Sequence, residues 1–109
     1  MKTLLISGQT LGRGDDALGA ILIEKFFTLL ADDPAPPEAV FFYNTGVRLC
    51  VEGSPVIPYL KALRGRGVNL MACGTCLEFF KVRPVPEVEA ATMKHLLALM
   101  RDDPAVVTV

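Results

Sequence analysis

A chain of 109 residues has the length of one domain, and folding at that size buries roughly 65% of the surface that the unfolded chain exposes. Hydrophobic residues make up 51% of it, and the net charge of −1 comes from interspersed acids and bases, which argues against the basic surface of a nucleic-acid-binding protein. The apolar runs are far shorter than the roughly 20 residues of a membrane helix, so we expect neither nucleic acid nor membrane as a partner.

The first half of the chain predicts strands that alternate with helices. Residues 3–7 form a buried strand, and Asp15 with Asp16 begins a helix after a glycine-containing loop. The prolines of DDPAPP end that helix, and residues 39–44 form a second strand. The apolar residues that recur at helical spacing in the first helix are Leu18, Ile21, Leu22, Phe26, Leu29 and Leu30.

The second half of the chain continues the alternation. Ser54 and Pro55 predict a second helix that runs to Leu63, because serine caps helices well and proline suits the first helical position. The remaining predicted elements are apolar runs or periodic segments bounded by turn residues: a strand at 68–72, a very short extended piece at 83–86, a helix at 87–103 and a strand at 105–109.

This order of elements indicates an α/β fold with a parallel sheet that is covered on both faces. Ligands of such sheets bind beyond the carboxyl ends of the strands. We therefore expect the loops after the strands to gather at one edge, where the segment CGTC of residues 73–76 also lies.

The pair of cysteines in CGTC can hold a metal, exchange a disulfide, carry sulfur as a persulfide, or be two buried thiols without a reaction. We expect Cys73 at the tip of its strand, and the free N–H groups of a following helical turn would stabilise a thiolate there. Gly74 allows another sulfur to approach, and Cys76 is one turn away and could resolve a mixed disulfide. Three cysteines and no secretion signal predict a reducing cytoplasm, where such pairs are more often catalytic or metal-binding than structural.

A zinc site would require four ligands, and the chain offers Cys50, Cys73, Cys76 and its only histidine, His95. Cys50 falls in a loop at the same predicted edge and is either a third thiol of the site or a packed side chain. His95 falls in the middle of a helix, among apolar neighbours, where a surface position is more common than a ligand. We therefore predict no metal.

The loop LGRGDDALG does not match a nucleotide-binding motif, because Gly12, Gly14 and Gly19 lack the spacing of G-x-G-x-x-G. Asp15 and Asp16 would also place negative charge where a phosphate binds. Aspartates that cap a helix explain the segment better, so we predict no cofactor.

The loop YNTGVRLCVEGSP has two interpretations that spacing alone does not separate. Asn44 and Gly46 are typical of turns, and Ser54 of a helix start. Alternatively, Asn44, Thr45, Glu52 and Ser54 line a pocket that faces Cys73. The residues that we predict to bind a substrate are Asn44, Thr45, Gly46, Ser54, Gly74 and Thr75.

Three separated segments, GDDALG, FYNTGVRLCVEGSP and GVNLMACGTCL, resemble the DsrE-like proteins. The closer resemblance is to the DsrE-type domain of the YedF group, which is sulfurtransferase-like and associated with selenium metabolism. It implies a single DsrE-like domain over 1–109, a three-layer α/β/α sandwich of about five mainly parallel strands that looks flavodoxin-like, a cytoplasmic location and a homo-oligomer. It also implies that Cys73 accepts the sulfur, with Cys76 completing the CGTC form of the YedF group.

The chain departs from that group in two ways. No SirA/TusA-like carrier domain precedes Met1, so we expect such a carrier as a separate partner. The segment before the last helix reads VPEVEAATM and has Thr92 where the family tends to have asparagine.

The resulting hypothesis is a cytoplasmic sulfur-relay protein. The Cys73 thiolate takes sulfane sulfur from a donor protein and passes it to an acceptor protein, and Cys76 resolves or protects the persulfide. The sequence leaves open whether this is an enzyme that turns over or only a carrier. Two alternatives also stay open: a thiol–disulfide or redox-sensing protein that uses Cys73 and Cys76, and a non-catalytic oligomeric binding module.

Overall fold

Five strands and four α-helices alternate along the computed structural model, which describes residues 1–109. None of the helices has both the length and the apolar composition that a membrane crossing requires. The elements are β1 (Thr3–Ile6), α1 (Asp16–Asp32), β2 (Ala39–Phe42), a 3-10 helix (Asn44–Cys50), α2 (Ile57–Gly65), β3 (Asn69–Cys73), α3 (Gly74–Phe80), β4 (Glu89–Ala91), α4 (Met93–Asp102) and β5 (Val106–Thr108).

The five strands form one sheet in the order β4-β3-β2-β1-β5, and every neighbouring pair is parallel. The connections through α1, α2 and α3 each move one strand toward β4, whereas α4 returns across the sheet to β5. Right-handed crossovers then place α4 on the opposite face from the other three helices. The predicted α/β fold with a parallel sheet of five strands and two helical layers is confirmed.

The core forms because the central strands are apolar throughout. All side chains of β1 and β2 are buried, as expected for strands covered on both faces. From α1, Phe27 stacks on Phe42 with ring centroids 6.0 Å apart, and both are completely buried. From α2, Leu60 and Leu63 are equally buried. These contacts hold the sheet and its helices in fixed positions, so that the strand ends form a stable edge.

The glycine-containing loop caps α1, as predicted. The carboxylate of Asp15 accepts a hydrogen bond of 2.8 Å from the N–H of Leu18, which satisfies one of the free donors of the first turn. Gly12 and Gly14 have positive φ values of 82° and 123° and turn the chain toward the helix. The aspartates therefore have the structural role that the sequence indicated.

Two predicted helix starts are wrong. The second helix begins at Ile57 instead of Ser54, because Pro55 and Val56 form a separate turn, in which the N–H of Ile57 donates to the carbonyl oxygen of Ser54 across 3.3 Å. The last helix begins at Met93 instead of residue 87, and Thr92 is its N-cap, accepting a bond of 3.2 Å from the N–H of His95.

The segment before the last helix also differs from the prediction. Residues 89–91, assigned to that helix, form strand β4, whereas residues 83–86, predicted as an extended piece, form no strand. Pairing with the edge of β3 overrides the helical preference of glutamate and alanine in this short segment.

Helix α1 is apolar on two opposite faces. Its buried face consists of Gly19, Ile23, Phe27, Leu30 and Ala31. Most of the apolar residues that the helical spacing singled out point away from the core instead, and Leu18, Ile21, Leu22 and Leu29 are exposed. A helix that is apolar all round is normally covered on both sides, and the outer face of α1 has no cover within this chain.

Candidate functional site

The loops after the parallel strands meet at one edge of the sheet, as predicted. The chain that leaves β2 reaches the chain that leaves β3, since the backbone N–H of Asn44 donates to the Sγ atom of Cys76 across 3.1 Å. This is the edge at which α/β sheets bind their ligands. The CGTC segment therefore lies where the fold class places chemistry.

Cys73 lies at the tip of β3, as predicted, and α3 begins at the next residue. It pairs with Ala91 of β4 and is only 1% exposed. A methyl group on Gly74 would lie 3.4 Å from the carbonyl oxygen of Ala91, so the end of β4 packs closely over this turn. The Cys73 thiol is therefore enclosed by the ends of two strands.

Cys76 lies in the first turn of α3 and is half-buried. Its side chain lines an open cavity of about 350 Å³, which it shares with Asn44, Thr75, Phe79 and Phe80. The Cys73 thiol lies close enough to raise the pKa of the Cys76 thiol. One of the two neighbouring sulfur atoms is thus reachable from solvent, and the other is buried.

The surroundings of Cys76 favour its protonated form. Burial raises the pKa of the Cys76 thiol first, and the hydrogen bond to Cys73 and the charge of Cys73 raise it further. The backbone N–H of Asn44 acts in the opposite direction, because a donor on the sulfur stabilises the thiolate. Asn44 is therefore the group in this site that stabilises the thiolate of Cys76.

Asn44 fits both interpretations of its loop, as a turn residue and as a residue of the site. It has a left-handed backbone with φ of 52°, which asparagine tolerates better than most residues, and its side-chain oxygen accepts a bond of 2.8 Å from the N–H of Thr45. It is a turn residue, and the same turn points its own N–H at Cys76.

The rim of the cavity contains residues that the sequence analysis did not select. Phe79 is 79% exposed and makes an edge-to-face contact with Phe80 at 5.2 Å between ring centroids. The guanidinium of Arg48 lies 4.4 Å from the centre of the Phe80 ring, in cation–π geometry. The signal in the sequence was the aromatic pair of CLEFF, directly after the cysteines and too close together for both rings to face the core.

Cys50 and His95 do not complete a metal site. Cys50 is fully buried in the 3-10 helix, and that burial raises the pKa of its thiol. His95 is exposed on α4 beside Lys2 and Thr3, near the amino end of β1 and so at the opposite edge of the sheet from Cys73. No three His, Cys, Asp or Glu side chains of the chain come together as metal ligands.

The other predicted site residues lie in different parts of the structure. Thr45 is partly buried and lines a hollow beside the glycine-containing loop. Gly46 is buried against the backbone of Ile6. Ser54 lines a separate hollow together with Arg48, away from the cavity of Cys76. The structure thus brings Asn44, Thr75 and the two cysteines together, and a role in substrate binding stays a prediction for all six residues.

Comparison with known proteins gives a family and a set of similar folds. The model of the DsrE/DsrF-like family matches residues 2–109, whereas no curated protein matches the sequence. Among solved structures, the YchN protein from E. coli is 16% identical, covers 100% of both chains and superposes with a TM-score of 0.72. MTH1491 from Methanobacterium thermoautotrophicum, a protein of unknown function, is 20% identical over 98% of this chain and 96% of its own, with a TM-score of 0.70.

Proposed function

Since the chain belongs to the DsrE/DsrF-like family, we propose that it is a cytoplasmic sulfur-relay protein that carries sulfane sulfur as a persulfide on Cys73. The observation that carries the proposal is the contact between two free thiols, Cys73 and Cys76, at the ligand-binding edge of the sheet. Persulfide transfer requires a thiolate within reach of the donor and no further catalytic group. The site supplies an accessible thiol in Cys76, which accepts the N–H of Asn44, beside the buried thiol of Cys73.

The burial of Cys73 suits the storage of a persulfide. A persulfide on an exposed cysteine reacts with any thiol in solution, whereas one on a residue that is 1% exposed is shielded from such encounters. The donor and the acceptor would both be proteins, and a SirA/TusA-like carrier is the partner that we propose. The exposed Phe79 at the rim of the cavity provides apolar contact area for such a partner.

We expect the native protein to gain the mass of one sulfur atom when it is exposed to glutathione persulfide. After blocking with iodoacetamide, peptide mass spectrometry should locate that sulfur on Cys73. The double variant Cys73→Ala/Cys76→Ala should gain none, whereas Cys50→Ala should gain as much as the wild type, because Cys50 lies inside the core. Wild-type protein that takes up no sulfur, or a double variant that still does, would refute the proposal.

A second candidate function follows from the same contact. Two neighbouring free thiols can also form a disulfide, which would make the pair a thiol–disulfide or redox-sensing site. In the same mass measurement this function predicts a loss of two hydrogen atoms instead of a gain of sulfur. A protein that shows neither change would be a non-catalytic binding module.

The CGTC motif supports a place in the YedF group within the family, and with it a link to selenium metabolism. Both are part of the proposal. The same mass measurement with a selenium analogue of the donor would show whether the protein also accepts selenium, because selenium and sulfur add different masses.

We also propose that the protein is a homo-oligomer assembled through the outer face of α1. Leu18, Ile21, Leu22 and Leu29 lie along one stripe of this helix and are exposed, and the exposed Lys25 lies among them. Adjoining apolar side chains of this size lower the free energy of the protein when a second copy covers them. No other segment of the chain covers the stripe, so a copy of the same subunit is the occupant that we propose.

Replacing Leu18 and Leu22 together with lysine is expected to convert the oligomer into monomers, because two charges would then lie in an apolar interface. Light scattering coupled to gel filtration would measure the mass. Ala62→Lys on α2 is the control, since Ala62 is also exposed and also gains a positive charge but lies outside the stripe. A wild-type chain that elutes as a monomer would contradict this assembly.

A further inference from the structure

The two cysteines of the site differ sharply in their access to a donor. Cys76 lines the open cavity, whereas Cys73 is 1% exposed and lies where β3 and β4 end. Attack on a donor persulfide requires the thiolate, the sulfur under attack and the leaving sulfur to come nearly into line. A donor that reaches the cavity meets Cys76 first, because Cys76 lines the cavity and the neighbouring Cys73 does not.

One group beside Cys76 assists attack and departure of its sulfur, in opposition to the burial that favours the protonated thiol. The N–H of Asn44 lies 3.1 Å from Sγ and stabilises negative charge on that atom, both before it attacks the donor and after it releases sulfur. The left-handed backbone at Asn44 and the bond from Thr45 N–H to the Asn44 side chain hold this donor in place. Asn44 is therefore a positioning residue for Cys76.

We infer that sulfur arrives on Cys76 and then moves to Cys73, so that the pair works as an ordered relay. This inference rests on the proposed function. In the first step the Cys76 thiolate attacks the outer sulfur of R–S–SH, which breaks the donor S–S bond, releases R–S⁻ and forms Cys76–S–SH. In the second step Cys73 attacks the outer sulfur of Cys76–S–SH, and Cys76 takes the proton that Cys73 gives up. The products are Cys73–S–SH and the Cys76 thiol, with no net oxidation or reduction.

Rapid-quench labelling with glutathione persulfide tests the order. Samples of the native wild type, Cys76→Ala and Cys73→Ala are blocked with iodoacetamide at increasing times, and the site of the sulfur is read by peptide mass spectrometry. In the wild type we expect label on Cys76 first and on Cys73 afterwards. Cys73→Ala should label Cys76 at the wild-type initial rate or faster, because Cys73 raises the pKa of Cys76. Cys76→Ala should label Cys73 at least about tenfold more slowly than the wild type does.

The outcomes separate this inference from the proposed function. If Cys76→Ala labels Cys73 as fast as the wild type, Cys73 accepts sulfur directly and the relay is refuted while sulfur carriage stands. If the wild type takes up no sulfur, the proposed function itself has failed. Thermal unfolding of each variant verifies its fold, and Cys76→Ser serves as the second variant if Cys76→Ala is unstable.

Substitutions of Asn44 provide an independent measurement. Asn44→Gly keeps the backbone N–H and adopts positive φ without strain, so labelling of Cys76 should proceed within about twofold of the wild-type rate. Asn44→Val disfavours that conformation, displaces the N–H and should slow the labelling of Cys76 about fivefold or more. Equal rates for the wild type and Asn44→Val would show that this amide does not assist the first step.

Discussion

Replacing Gly46 with alanine is expected to lower the free energy of unfolding by about 2–3 kcal/mol. A β-carbon at this position would lie 2.5 Å from the carbonyl oxygen of Ile6, closer than such atoms approach in folded proteins. The carbonyl cannot yield easily, because it also accepts a hydrogen bond of 3.0 Å from Tyr43 N–H at the end of β2. The 3-10 helix would therefore have to move away from β1.

The same displacement should reach the site. Gly46 and Asn44 belong to one 3-10 helix, and the N–H of Asn44 is the donor to Cys76. We expect Gly46→Ala to slow the labelling of Cys76 as well as to destabilise the fold. Chemical denaturation measures the stability, and the labelling assay measures the site.

Gly65→Ala is the matched control for Gly46→Ala. Gly65 is the last residue of α2, and a β-carbon there would meet no atom within 4 Å. Alanine at this position should leave stability unchanged or raise it by about 0.5–1 kcal/mol, because it restricts the unfolded chain. If the two variants unfold alike, the close approach of Gly46 to Ile6 is not what the fold requires.

The wild-type protein is expected to lose stability steeply above about pH 8.5, and Cys50→Ala to lose it less steeply. The thiol of Cys50 has a raised pKa in the folded state because it is buried, whereas in the unfolded chain it ionises near its ordinary value. Above that value the unfolded state binds fewer protons than the folded state, so the free energy of unfolding falls as pH rises.

The size of this effect follows from the linkage between proton binding and folding. One such thiol contributes a fall that approaches about 1.4 kcal/mol for each pH unit well above its unfolded pKa, or about 2.3 kcal/mol between pH 8.5 and 10.5. Cys50→Ala will be less stable at neutral pH because of the cavity that it creates, but the comparison concerns slopes, which the cavity does not change.

Denaturation at a series of pH values would measure both slopes. The raised pKa of Cys76 adds a smaller fall of the same sign, so Cys76→Ala is the second variant to compare. Parallel curves for the wild type and Cys50→Ala would mean that Cys50 ionises inside the folded protein and that the core admits water there.

Local pattern accounts for most of the fold. The apolar runs of β1, β2 and β3 are short and bounded by polar or turn residues, which indicates buried strands, and Asp15 marks the start of α1 by its capping chemistry. The sequence of strand β4 contains no comparable apolar run. Its three residues, Glu89–Ala91, are exposed or half-buried, and they become a strand because the edge of β3 is free to pair with them.

The outer stripe of α1 shows that helical spacing does not predict which face of this helix is buried. Leu18 and Leu22 recur at the spacing of a buried face, yet the structure buries Ile23 and Phe27 on the other side of the helix. Both faces are apolar, so spacing alone cannot choose between them. The choice depends on which side of the helix the sheet occupies.

The order of strands and helices along the chain is enough to predict the fold class and to place the cysteine pair at the carboxyl edge of a parallel sheet. The enclosure of Cys73 and the exposure of Cys76 depend on tertiary packing, because their surroundings come from β4 and from the loop after β2. The hydrogen bond from Asn44 to Cys76 joins residues 32 positions apart, so no short sequence motif predicts it. The packing of distant segments therefore decides which of the two thiols a donor can reach, and with it the proposed order in which they react.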